Sequence, residues 1–248
     1  MPASPEYALN AKRKPGNRKQ PRKSFIKMSM KASGFRRTTF ILPIQATDLM
    51  ELKITCEKCN ARFSVIGSAY FCPSCGHNSV ERTFDDSIKK ILSKIENAEI
   101  IRKAFADIGK KDEGEVTIRS LIESALSDGV TAYQRLDEKL YEKIPAAPKA
   151  PFNAFQRLDD GSKLWKRACG KGYEDWLNKI EVDDLKILFQ KRHILVHNEG
   201  IVDAKYIKRS GDMTYKVGQR VVVTELDICR LVDLIGKLAV EIRTVKGI

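Results

Sequence analysis

The chain has 248 residues, with 45 Lys or Arg against 32 Asp or Glu, for a formal net charge of +13. Hydrophobic residues make up 42%, too many for a wholly disordered chain, and 15 Gly with 9 Pro are too few for a collagen-like or low-complexity one. No window reaches about eighteen consecutive apolar residues, and the basic start leads into no apolar segment with a cleavage site. Neither a transmembrane helix nor a secretory leader is expected.

The positive charge is concentrated. Residues 1–40 hold eleven Lys or Arg and one acid, Glu6, so the rest of the chain is close to neutral. Residues 1–38 show no hydrophobic period and read as a basic, disordered tail. Such a tail suits contact with nucleic-acid phosphates, and equally suits a solubilising extension. From residue 39, Thr39-Phe40-Ile41-Leu42-Pro43-Ile44 reads as a short strand, placed at an edge by Pro43.

Residues 39–80 form the next unit. Cys56, Cys59, Cys72 and Cys75 make two C-x2-C pairs. In a cytoplasmic chain that spacing indicates a metal site and not a disulfide framework. Thiolates in two such turns supply the four ligands of a tetrahedral zinc ion. Gly76 follows the last cysteine, as a tight turn requires. Arg62-Phe63-Ser64-Val65 and Ala69-Tyr70-Phe71 suggest a small hairpin reversing at Gly67-Ser68. Over residues 52–80 the chain resembles the zinc-ribbon family, so one structural Zn2+ per chain is expected. Four cysteines close the coordination shell, which leaves His77 as a neighbour and argues against catalysis at the ion. Cys169 and Cys229 stand alone and read as buried small hydrophobes.

Residues 81–248 read as helical. Thr83 suits an N-cap, and Phe84, Ile88, Ile91, Ile95, Ala98, Phe105 and Ile108 mark one face. Ile118, Leu121, Ala125, Ala132, Leu136 and Leu140 mark a second helix, with Gly129 as its weak point. A third helix is expected from Asn153 to Cys169, weakened by Gly161, followed by a short turn near Trp176. Trp165 and Trp176 read as packed anchors. A fourth helix is expected from Glu181 to a stop at Gly200. Gly211-Asp212, Val217-Gly218 and Val221-Val222-Val223 predict a β-hairpin before the last helix. That helix opens on a capping box, Thr224 with Asp227, and carries Ile228, Leu231, Ile235, Leu238, Ile242 and Val245 at helical spacing.

The chemistry-bearing stretch lies in the fourth helix. Leu185, Leu188, Phe189, Leu195 and Val196 form an apolar stripe, and Arg192 falls inside it. His193 and His197 are four apart and share a face. Polar residues where a bundle expects Leu mark a local conflict, and such conflicts concentrate at functional sites. Histidine serves as general acid or base near neutral pH, and arginine binds phosphate in a fork. Together they suit cleavage of RNA, whose own 2′-OH is the nucleophile. One helix offers half of the required acid–base pair, which a second copy across a two-fold axis would complete. The bland alternative pairs Arg192 with Asp183 or Glu199 and packs the histidines into the bundle.

Arg192, four residues, then His197 resembles the R-x4-6-H signature of the HEPN superfamily. The likeness continues through Phe189-Gln190-Lys191-Arg192-His193, His197-Asn198-Glu199-Gly200-Ile201-Val202-Asp203, Tyr206-Ile207 and Gly211-Asp212. It spans roughly residues 84–246. The resemblance implies a mainly α fold: a bundle of four to five helices, here joined to a small β zinc ribbon. It implies a homodimer with a metal-independent endoribonuclease site at its interface. Carried over by position, Arg192 contacts the scissile phosphate, His197 serves proton transfer or transition-state stabilisation, and His193 orients the site. The products would end in 2′,3′-cyclic phosphate. Many such proteins are toxins, paired with an antitoxin or other regulatory protein, or antiphage effectors. Others have lost catalysis, and the second expectation is a non-catalytic nucleic-acid or protein-binding module dimerised by its bundle.

Overall fold

The computed structural model of the chain describes residues 24–29, 39–44, 51–66 and 71–245. The chain divides into two compact units, residues 1–50 and 51–248. In the first, β1 (Ser24–Ser29) pairs antiparallel with β2 (Thr39–Ile44), Ser24 opposite Ile44 and Ser29 opposite Thr39. The strand expected at Thr39–Ile44 is present. Its partner lies inside the stretch read as tail. The rest of that stretch, and the reversal expected at Gly67-Ser68, lie outside the described residues.

The second unit opens on a ribbon. β3 (Glu51–Thr55) pairs antiparallel with β4 (Arg62–Ile66), Thr55 opposite Arg62. The hairpin therefore closes around the first cysteine turn. A single bridge between Phe71 and Asn78 closes the second turn in the same way.

α1 (Val80–Asp107) follows directly. It starts one turn before the expected Thr83, because Ser79 is the better-placed cap: its hydroxyl accepts from the Arg82 amide, while Thr83 bonds back to the Ser79 carbonyl. α2 (Lys111–Tyr141) returns against α1. It runs unbroken through Gly129, where a Cβ would stand 2.7 Å from Leu231 Cδ2. The glycine that weakens the helix in sequence is thus the place where α7 (Glu225–Arg243) crosses it.

A 3-10 turn (Ala154–Gln156), α3 (Leu158–Cys169) and α4 (Tyr173–Trp176) close one side. Gly161 in α3 has the same explanation as Gly129: a Cβ there would meet the Tyr173 hydroxyl. Trp165 is fully buried and meets Trp176 edge-on at 5.8 Å. Its indole N–H donates to Asp137 of α2 at 2.5 Å, and the Tyr173 hydroxyl donates to the other oxygen of that carboxyl.

α5 (Lys179–His197) opens on a capping box, Asn178 with Glu181. α6 (Ala204–Ser210) packs on α5, capped by Asp203. α7 packs against α1, α2 and α5, and buries Ile228, Leu231, Leu234, Ile235, Leu238 and Ile242. Its Thr224–Asp227 capping box forms as expected, and Asp227 also holds the Lys191 ammonium at 3.2 Å. The fold is mainly helical. Among the described residues, no helix is long and apolar enough to cross a membrane.

Three expectations need correction. The β-hairpin before the last helix does not form: turns at residues 213–214 and 217–218 stand where its first arm was expected, and the one bridge in this stretch joins Ile201 to Arg220. Val221 and Val223 are buried as single side chains, Val221 with Ile194, Val202 and Tyr206 in a small second core. β-branched residues satisfied by burial need no ladder. Val196 is not in the buried stripe but 52% exposed. α6 and the 201–221 segment cover the end of α5 from another side, so Lys191 and Ile194 are buried there instead. Cys229 is exposed and Cys169 half-buried, so neither is a core residue.

Candidate functional site

Two candidate sites lie in the second unit. In the first, the four cysteine sulfurs lie within 4.8 Å of one another. Cys56 Sγ stands 3.6 Å from Cys75 Sγ, and Cys59 Sγ 3.6 Å from Cys72 Sγ. Zn–S bonds of about 2.3 Å in a tetrahedron require edges of about 3.8 Å, so the cluster fits a zinc ion. The two turns are built alike. The Asn60 amide donates to the Cys56 carbonyl at 3.0 Å, and the Gly76 amide to that of Cys72 at 2.9 Å. Both following residues are left-handed, Asn60 at φ 57° and Gly76 at φ 71°. Burial raises the Cys56 thiol, but hydrogen bonds from the Cys59 and Lys58 amides outweigh it and bring the thiol down to about 7. Glu57 of the first turn accepts from Ser79 at 3.3 Å and pairs with Arg82 at 2.5 Å. The ribbon is therefore fastened to the first turn of α1.

The second site is the C-terminal end of α5. His193 and His197 lie one turn apart with ring centroids 4.8 Å apart, and both are exposed. Arg192 is half-buried. Its Nε is buried and has no hydrogen-bond partner. Among the described residues no carboxylate pairs with it; Asp183 pairs instead with Lys179 at 2.8 Å. Neither arm of the bland alternative holds, since the arginine is unpaired and the histidines are not packed away. Burial lowers the Arg192 guanidinium. Burial also lowers His193, helped by the positive charges of His197, Arg209 and Arg192 and opposed by Asp203. His193 is thereby favoured as the neutral imidazole, the form that accepts a proton.

α5 stops right after His197 because the chain reverses there. The Asn198 and Gly200 amides both donate to the Ile194 carbonyl, at 2.8 and 2.9 Å. Glu199 and Gly200 are consecutive left-handed residues, at φ 51° and 81°. Arg220 holds this reversal. Its Nε donates to the Glu199 carbonyl at 3.2 Å, and its other nitrogens grip Glu123 of α2 at 2.8 and 3.0 Å. Neither Arg220 nor Glu123 has a sequence signal, since the pair spans most of the bundle's length in sequence. Past the reversal, the buried Tyr206 hydroxyl donates to Asp212 at 2.7 Å, and Asp212 also accepts from Thr214. These bonds tie the end of α6 to the turn that follows it, while α6 itself packs on α5.

Comparison of the chain with protein-family models, curated proteins and solved structures finds no match. The functional reading therefore rests on this geometry and on the motif likeness in the sequence.

Proposed function

We propose that the chain is an endoribonuclease whose reaction needs only Arg192, His193 and His197 of two copies facing each other. The observation that carries the reading is the state of Arg192. A half-buried guanidinium with an unpartnered Nε and no carboxylate, beside two exposed imidazoles, is a charge arrangement awaiting an anion. A phosphodiester supplies that anion. A neutral imidazole, His193 or His197, removes the 2′-OH proton. The 2′-oxygen then bonds to phosphorus, and the P–O5′ bond breaks. An imidazolium, contributed by the second copy, protonates the leaving 5′-oxygen, giving a 2′,3′-cyclic phosphate and a 5′-OH. Arg192 neutralises the charge that grows on the phosphoryl oxygens. Exposed Val196 and Ile201 beside the histidines offer apolar surface for the second copy. The four-cysteine ribbon, holding one Zn2+, would contribute to recognition of the RNA or of a partner. The motif likeness extends the reading to a toxin or antiphage effector with a regulatory partner.

The test is incubation of the purified full chain with total RNA and mapping of the cut ends, with Arg192→Ala and His197→Ala in parallel. Cuts ending in cyclic phosphate that vanish in both variants are expected. Cuts that persist in both variants would overturn the assignment.

A further inference from the structure

A groove of about 650 Å³ opens between the start of α3, α5 and α6. Its α5 wall is formed by Lys186, Phe189 and Gln190. These positions continue at helical spacing into His193 and His197, so the groove wall and the histidine pair occupy one stripe of one helix. From Lys186 to His197 that stripe is about 16 Å long.

The charges in the groove do not cancel. Five cations line it against two carboxylates. Both carboxylates are taken: Asp159 pairs with Lys186, and Asp160 with Arg157. Lys205, Lys208 and Arg209 remain, spaced i, i+3, i+4 on one face of α6. All three are exposed, and none makes an ion pair or hydrogen bond among the described residues. Three unpaired cations lining a groove on the helix stripe that carries the histidine pair form a track for consecutive phosphates. Gln156 and Gln190 in the same groove can donate to phosphate and sugar oxygens.

We propose that this groove binds the sugar–phosphate backbone of the RNA strand that leads to the histidine pair, with Lys205, Lys208 and Arg209 each neutralising a phosphate. This rests on the endoribonuclease reading and supplies its substrate track. Recognition there is of single-stranded RNA with little sequence preference, because ammonium and guanidinium contacts to phosphate carry no base information.

The probe is a fluorescein-labelled 2′-O-methyl oligonucleotide, which lacks the 2′-OH nucleophile and is not cut. Its affinity for the full chain is measured by anisotropy across a salt series. The test variant carries Lys205→Ala, Lys208→Ala and Arg209→Ala. The control carries Lys103→Ala, Lys110→Ala and Lys111→Ala, which remove equal charge outside the groove. At about 0.7 per phosphate contact, the slope of log affinity against log salt should flatten by about 2 in the groove variant and much less in the control. Affinity at low salt should fall at least tenfold in the groove variant alone. Equal losses in the two variants, or an unchanged slope in the groove variant, would overturn the groove. Failure of the wild-type chain to cut RNA would overturn the nuclease reading alone, since this binding measurement is independent of cleavage.

Discussion

Arg220 and Glu123 lie 97 positions apart in the chain, yet their side chains meet in a two-pronged pair of 2.8 and 3.0 Å that fixes the turn after His197. The pair is partly exposed, so its loss should cost the fold only about 1 kcal/mol. Its effect on cleavage should be larger. Arg220→Ala frees the Glu199 carbonyl as well as Glu123, and the end of α5 loses its brace. We expect a small shift of the urea midpoint but at least a tenfold fall in kcat with KM nearly kept. A fall in stability that fully accounts for the lost activity would show the pair to be structural only.

Arg192 should be a stability liability. Replacing it by Met keeps most of the volume and removes a half-buried charge without a partner. Arg192→Met is expected to stabilise the chain by about 0.5–2 kcal/mol while abolishing cleavage. Urea melts of the two proteins decide it. A destabilised variant would mean that Arg192 has a structural partner in solution.

His193 titrates below the usual histidine range, first because of burial and then because of nearby positive charge, Arg209 included. Removing that charge favours the imidazolium, so Arg209→Gln should raise the His193 pKa. The unfolded chain takes up this proton near the ordinary histidine value of about 6.5, and the folded chain only below it, so stability falls with pH between the two; with the folded value raised, the variant should lose less of it. NMR titration of the ring protons measures the shift directly. No movement would separate Arg209 from the histidine pair.

Asp137 is buried under Trp165 and Tyr173, and burial pushes its carboxyl up to about 7 despite the hydrogen bonds it accepts. An unfolded Asp titrates near 3.9. Between those values the unfolded chain has released the proton that the folded chain keeps, so the group's contribution falls as pH rises from about 4 to about 7. Asp137→Asn retains an acceptor for the Trp165 N–H and cannot ionise. Its stability relative to the wild type should therefore be greater at pH 8 than at pH 5. Equal differences at both pH values would mean that the carboxyl is ionised in the native state throughout.

One zinc per chain is expected by elemental analysis, and Cys59→Ser should lose it. Because Glu57 ties the first cysteine turn to Ser79 and Arg82, metal loss should also fray the start of α1. Hydrogen exchange should show protection falling over residues 80–84 while α2 and α7 keep theirs. Unchanged protection there would show the ribbon to be energetically separate from the bundle.

The parts of this structure legible in sequence are those set by local rules. The cysteine spacing gave away the cluster, Thr224 and Asp227 the start of α7, and the three–four alternation of Ile228 to Ile242 its buried face. The histidine pair was readable because two positions four apart on a helix meet regardless of what surrounds them. What stayed hidden depends on partners distant in the chain. Gly129 and Gly161 read as helix weaknesses because nothing local announces that Leu231 and Tyr173 need the space. Val221-Val222-Val223 reads as a strand because β-branched residues suit strands and buried loops alike. Nothing near Lys191 in the chain announces that Asp227 and the Val222 carbonyl hold its ammonium inside. The basic face of α6 was present in sequence as Lys205, Lys208 and Arg209, but only packing against α5 turns it toward the histidines.

The missing methyl at Gly129 also governs what can move. Leu231 sits in a notch one side chain wide. Sliding α7 by one turn along α2, about 5.4 Å, would drive it onto Leu126 or Tyr133, both fully buried. The two helices are keyed at a single height. The α2–α7 contact thereby resists sliding, and the frame behind the histidines acts as an anvil.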